Sequence, residues 1–468
     1  MADLFSILSQ ASGSLSAHRN SAATASHNLS NANTPGFARQ RAELQAMLPA
    51  EMINGGFIGR GAGLLTVSQA RDRFIEAQIP GSMGQAAFSS AHSAALQGVS
   101  ALDPDGGAGL TKAIGDFYGS LRALSQNPSD PGLRQVALST ARSMSQAFNR
   151  ASQSIEAAKS GIDAKLTGTV AEANTLAANI ADLNNQIQVA RASGGEPNDL
   201  LDARLAATDR LAALTGAKPV PDAKGNVSML LANGTALVNE NRAAKLSLLP
   251  NAANGGHLAV QLTRTDGTGP MAMQQSEFGG EAGGLLAARD TTLDKAAKSL
   301  DTLAFDLGNA INLVHRTGFA LDGTTGRDLL VTGATSAGAA GRLAVDPTVD
   351  ANPSLLGAAS SAGTVPGDGT ALLALIGTET QALSTGLDAS GALSNLISDF
   401  GASASRLAAA AQHDGALLDN VTAMRESVSG VSIDEEMINL TKAQRSFEAV
   451  MKVMKTTDEM LQTLLSLK

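Results

Sequence analysis

The residues best suited to acid/base or metal chemistry are six histidines, His18, His27, His92, His257, His315 and His413. None falls in an HExxH pattern or beside another cluster of ligand types, so their spacing gives metal binding poor support. His18 and His27 sit on a helical pattern, where a packed or solvated imidazole is the ordinary reading. LDPDGGAGL, from Leu102, begins like a calcium loop, but it lacks a third oxygen ligand and has Ile114 where the bidentate glutamate belongs. It reads as a turn. GRGAGLL at Gly59 misses the GxGxxG spacing, and no phosphate-binding GxxxxGK(S/T) or hydrolase GxSxG occurs. Asp434, Glu435 and Glu436 could pair for acid/base work, but consecutive helix residues do not face one another, and first-turn acids complement the helix dipole. The expectation is a chain without catalytic, cofactor or metal residues, and not an enzyme.

Recognition by apolar surface is the chemistry that remains. The 468 residues are 43% hydrophobic but only 3% aromatic, with no Trp and one Tyr, Tyr118. Such a chain builds thin helix-on-helix seams, over about three domains. The absence of cysteine removes disulfides and thiolate chemistry and leaves the compartment open. A net charge of −9 without a basic run argues against nucleic acid and anionic membrane as partners. The opening MADLFSILSQ has an acid at Asp3 and no basic n-region, and no 18 apolar residues run unbroken, so neither a cleaved signal peptide nor membrane insertion is expected.

The elements that carry this surface lie at both ends. Leu4, Leu8, Ala11, Leu15, Ala22, Ala25, Leu29 and Ala32 alternate steps of four and three, with His18 at the polar step, which is a heptad seam. The helix stops in the stretch NANTPGF: Pro35 biases Thr34 away from the α region, Gly36 accepts positive φ, and Asn31 and Asn33 can turn their amides onto leftover carbonyls. Near the other end Ile433, Met437, Leu440, Phe447, Met451, Met454, Leu461 and Leu465 share one stripe, with Gln444 and Asp458 as polar steps. Ser432 and Glu435 read as a capping box that starts this helix. The methionines Met437, Met451, Met454 and Met460 suit either a core or an adaptable binding face, and on a helix with few neighbours the two merge.

The same period predicts one very long helix from Pro131 to Arg191, weakened at Gly161 and Gly168, and further helices through Leu293–Val314 and Leu393–Val428. From about Gly216 to Gly284 the runs NVSML, ALVN, AKLSLL and HLAVQL between turn signals read as a small β-domain. A second Gly/Ala/Asp-rich stretch holds LLVT and RLAV as short strands and a disorder-prone SSAGTVPGDGT. Phe37 to Pro80 reads as extended. The fold class is therefore mainly α with inserted β: a long antiparallel helical bundle made from both chain ends, a small β-rich insertion domain and a second irregular insertion. The expected division is 1–35 with 430–468 as a terminal helical domain and 36–215 with 285–318 and 387–429 as a helical rod. The insertions are 216–284, β-rich, and 319–386, irregular with short strands.

NLSNANTPGFARQ and GVSIDEEMINLTKAQRSFEAVMKVMKTTDEMLQTLL together resemble the paired end motifs of bacterial flagellar axial proteins. With NDLLDARLAATDRLAALTG and GGLLAARDTTLDKAAKSLDTLAFDLGNAINLVHRTGFALDGTTGRDLL, the chain is similar to the hook-associated protein 1 family of hook-filament junction proteins. The resemblance covers most of the chain and is weakest from about Val331 to Ala392. Phe37 stands where the family often has Tyr. The resemblance implies an extracellular structural subunit of the flagellum, exported unfolded through the type III apparatus with an export chaperone. Its partners would be copies of itself, hook protein and the next junction protein. Another axial protein, hook or distal rod, is the nearer alternative, and an exported coiled-coil adhesin or enzyme the farther one.

Overall fold

The computed structural model describes residues 2–34, 36–51, 57–97 and 109–466, so Pro35 and the turn expected from Leu102 to Ala108 lie outside the described residues. In chain order, α1 (Ala2–Ser30) leads through β1 (Gln40–Ala46), β2 (Ala50–Glu51), β3 (Phe57–Ile58) and β4 (Ala62–Gln69) to α2 (Arg73–Gln97), α3 (Leu110–Gln126), α4 (Pro131–Ala192) and α5 (Asn198–Thr215). The strands β5 (Lys218–Pro221), β6 (Val227–Leu230), β7 (Ala236–Asn239), β8 (Arg242–Ala243), β9 (Lys245–Pro250), β10 (Leu258–Thr263) and β11 (Met271–Ala272) come next. They are followed by α6 (Gly280–Ala287), α7 (Asp294–His315), β12 (Leu330–Val331), α8 (Ala339–Arg342), β13 (Ala344–Val345), α9 (Pro347–Ala351), α10 (Thr370–Gly377), α11 (Ala389–Ser429) and α12 (Ile433–Ser466). The fold is mainly α with inserted β.

The spine is α4. Asp130 caps it by accepting the Leu133 N–H at 3.0 Å, and Pro131 at the first position sacrifices no hydrogen bond. Its 62 residues span about 90 Å at the helical rise. Met144, Phe148, Ile155, Ile162, Leu166, Ala173, Ile180 and Ile187 line its buried stripe, and the helix continues through Gly161 and Gly168, both of which face open space. Helices α3 and α5 pack on α4, α6 and α5 pack on α2, and α11 runs antiparallel along α2, with Ser89 donating to Asp414 at 2.5 Å.

Two asparagines of α4 seat the β-rich part. The Asn184 amide donates to the Val227 and Glu240 carbonyls at 2.9 and 2.6 Å and accepts from the Val227 N–H and from Arg204. Asn174 does the same with both backbone groups of Leu246 at 2.8 Å. Each amide satisfies strand-edge groups that packing against a helix would otherwise bury unpaired. The strands form an antiparallel sheet in the order β5-β6-β7-β8 and another in the order β11-β10-β9, with Met229, Val238, Leu246, Val260 and Leu262 buried. The four runs named above supply β6, β7, β9 and β10.

LLVT and RLAV supply β12 and β13, which pair with each other. Asn312 and His315 of α7 hold this region: Asn312 bonds the Leu329 and Leu330 backbone, while His315 donates from Nδ1 to the Arg327 carbonyl and accepts the Gly357 N–H on Nε2.

Two readings of the sequence are corrected here. SSAGTVPGDGT is ordered around Asp368, which accepts from Ser360, Thr364 and Thr370; these hydrogen bonds hold the carboxyl well below its usual range. The extended stretch from Phe37 ends at Gln69, because Asp72 caps a helix by accepting the Phe74 N–H at 2.8 Å. Pro80 therefore lies inside α2, where it is buried; packing against α5, α6 and α11 outweighs the hydrogen bond that proline cannot make.

Candidate assembly site: the terminal helix pair and its joint

Helices α1 and α12 run antiparallel and pack on each other outside the main core of the rod. On α1, Leu4, Leu8, Leu15 and Leu29 are half-buried and Ala11 and Ala25 buried, as the heptad reading requires. On α12 the inward stripe is Glu436, Leu440, Ala443, Phe447, Val450, Met454, Thr457 and Leu461. Leu440, Phe447, Met454 and Leu461 thus face inward as expected from one shared stripe, while Ile433, Met437, Met451 and Leu465 of that stripe point to solvent, 51%, 48%, 44% and 66% exposed. The stripe read as one face is split at its edge. Ala443 and Thr457, small residues without a strong apolar signal, let the two backbones approach and set the rotation. Ile438, Val453, Met460 and Leu464 are also exposed, so α12 is apolar well beyond the strip that α1 covers.

The helix stop works in part as read. Asn31 donates its amide to the His27 carbonyl at 3.0 Å, Gly36 takes φ 80°, and the Phe37 ring stands edge-on to His27 with centroids 5.4 Å apart. Asn33 is exposed and makes no side-chain hydrogen bond among the described residues, so it does not share the capping assigned to it. The capping box is half formed: Ser432 accepts the Glu435 N–H at 3.4 Å, but the Glu435 carboxylate turns to Arg39 at 2.6 Å.

Sequence reasoning missed the polar knot that fixes the pair to the rod. Asn28, 1% exposed, bonds both backbone groups of Gln40 and donates to the Glu436 carboxylate at 3.1 Å. Glu436 also receives Arg39 Nε at 2.7 Å, and the Arg39 N–H donates to the Ser429 carbonyl at the end of α11. The first-turn acids of α12 therefore do more than complement its dipole. The first turns of α5 stitch in the β1–β4 hairpin: Asp199 accepts from Gln40, Asp202 from Gln69 and Arg71, and Asn198 donates to the Val67 carbonyl. A polar residue falling beside an apolar seam, as Asn28 and Glu436 do, was the one signal available. A cavity of about 870 Å³ lies over this knot between 32–41 and 425–435, lined by Arg39, Arg41, Arg71 and Arg425.

Among the described residues no group of three or more His, Cys, Asp or Glu could hold a metal ion, and no helix is long and apolar enough to cross a membrane. The site offers apolar surface and a charged joint.

Residues 97–330 match the family model for the flagellar hook-associated protein FlgK helical domain, and residues 425–467 match that for the flagellar basal body rod FlgEFG protein C-terminal region. The chain is 28% identical over 504 residues to flagellar hook-associated protein 1 of Bacillus subtilis, covering 98% of both chains. It is 28% identical over 331 residues to the protein of that name from Salmonella typhimurium, covering 70% of this chain and 60% of that one. The structure of the flagellar hook junction protein FlgK from Burkholderia pseudomallei is similar in fold, with a TM-score of 0.68 and 20% identity, over 75% of this chain and 100% of that one.

Proposed function

The chain belongs to the flagellar hook-associated protein 1 (FlgK) family, and from that premise we propose that it is a structural subunit joining hook to filament, polymerised through α1 and α12. The observation that carries this is the two-sided apolar character of α12. Its inner stripe is satisfied by α1, and its outer residues Ile433, Met437, Met451 and Leu465 are left for a neighbour. A contact between unlike faces, repeated along an axis, builds an open tube. In this reading 1–35 with 430–468 form the assembly domain, the rod carries it, and 216–284 and 319–386 are insertions. Copies of the chain, hook protein and the next junction protein are the partners in the flagellum, and an export chaperone with the type III apparatus delivers the chain to the cell exterior. The family is structural, and the chain performs no catalysis.

The test is electron microscopy of cells lacking the gene. Intact hooks without filaments support the junction role, and absent hooks assign the chain to the rod or hook instead. Complementation with Met451→Glu separates assembly from folding: the variant is exported and folded but leaves hooks bare.

A further inference from the structure

Beneath the joint, three helices bring together more negative than positive charge. Glu76 comes from the first turn of α2, Asp202 and Asp209 from α5, Arg425 from α11, and Arg71 from the segment entering α2. Arg71 bonds Glu76 Oε1 at 2.9 Å and Asp202 Oδ1 at 2.5 Å, and Arg425 Nη1 bonds Asp209 Oδ2 at 3.1 Å. Three carboxylates thus share two guanidinium groups. The oxygens left over, Glu76 Oε2 and Asp209 Oδ1, are buried without a hydrogen-bond partner among the described residues. Arg39, the next cation of the joint, is engaged by Glu435 and Glu436, and Asp199 by Gln40 and His27. An unpaired buried charge and a buried acceptor without a donor are both unfavourable, and a proton on the Asp209 carboxyl removes the excess charge.

We propose that the buried carboxyl of Asp209 takes up a proton on acidification, so that the packing of α2, α5 and α11 beneath the joint tightens as pH falls and loosens as pH rises. Burial, aided by the charge of Glu76, pushes the Asp209 carboxyl up to about 6 against the pull of Arg425 and Arg71. Burial also pushes Asp202 up, opposed by Arg71. With Asp209 raised above its ordinary 3.8, the folded chain binds the proton more tightly than the unfolded one. The stability it brings is present at low pH and is lost as pH climbs through that window. The inference concerns the single chain and does not rest on the lattice reading.

Thermal unfolding of the full chain and of Asp209→Asn, from about pH 7 to about pH 5, tests it. The neutral amide stands in for the protonated acid, so the variant melts above the parent at the higher pH and the gap closes at the lower. Protection of residues 425–432, taken relative to the intrinsic exchange rate at each pH, follows the same course, rising with acid in the parent and staying level in the variant. Should Asp209→Asn fail to fold, Glu76→Gln is read by the same gap. A gap that does not change with pH, or that widens toward acid, overturns the proposal.

Discussion

The amide of Asn28 donates to the carboxylate of Glu436 across 3.1 Å, joining the last turn of α1 to the first turn of α12 over 408 residues of sequence. Both side chains are nearly free of solvent, at 1% and 3% exposure, and the same asparagine mimics a strand partner for Gln40. Asn28→Ala leaves a buried carboxylate and two backbone groups short of partners, at a cost of about 2 to 4 kcal/mol to the packing of the pair. Asn28→Asp is worse, because it sets a second negative charge against Glu436. Faster hydrogen exchange in α1 and α12, with the rod unchanged, is the expected readout; unaltered exchange refutes it.

The rotation of α12 separates two kinds of assembly defect. Leu440→Asp puts a charge into the seam with α1, forfeiting about 1.5 to 3 kcal/mol of burial before any desolvation penalty, so the pair frays even in the isolated chain. Met437→Asp, one turn earlier on the outer face, leaves the pair packed and blocks only polymerisation. Circular dichroism and limited proteolysis of the monomer distinguish them. Equal fraying in both variants contradicts the observed rotation.

Acidification acts on the second insertion with the opposite sign to the joint. His315 is buried with both ring nitrogens used as a neutral imidazole, and burial pushes its pKa below the ordinary 6.5. The unfolded chain therefore takes up the proton first, and the contribution of His315 is intact above about pH 6.5 and lost as pH falls below it. Hydrogen exchange in residues 319–359 should quicken from pH 7 to about pH 5 relative to its rate at a reference site. Exchange there that slows relative to the reference site contradicts this account.

Two glycine substitutions should move stability in opposite directions. Gly161 lies inside α4 with nothing within 4 Å of an added Cβ, so Gly161→Ala stabilises by about 0.5 to 1 kcal/mol. Gly216 ends α5 at φ 71°, and a Cβ there would stand 2.4 Å from the Gly279 Cα where the chain enters and leaves the β-rich part. Gly216→Ala should lower the urea midpoint by more than Gly161→Ala raises it; a shift of the same sign in both would be inconsistent with this backbone geometry.

What the sequence determined by itself is local or periodic. The heptads of α1, α4, α7 and α11, the stop at Gly36 and the strands around Val238 and Val260 all follow from residues within a turn or two of one another, where propensity and periodicity act directly. The paired end motifs carried the family. Tertiary structure alone decided which edge of the α12 stripe turns inward, since Ile433 and Leu440 are equally apolar and only the distant α1, through Asn28 and the small residues Ala443 and Thr457, selects between them. It also placed Pro80 inside a helix, because the packing of α2 on α5, α6 and α11 outweighs a local signal to stop. The cluster beneath the joint was hidden for the same reason: Arg71, Glu76, Asp202, Asp209 and Arg425 lie in three stretches far apart in sequence, and their excess negative charge exists only where three helices meet.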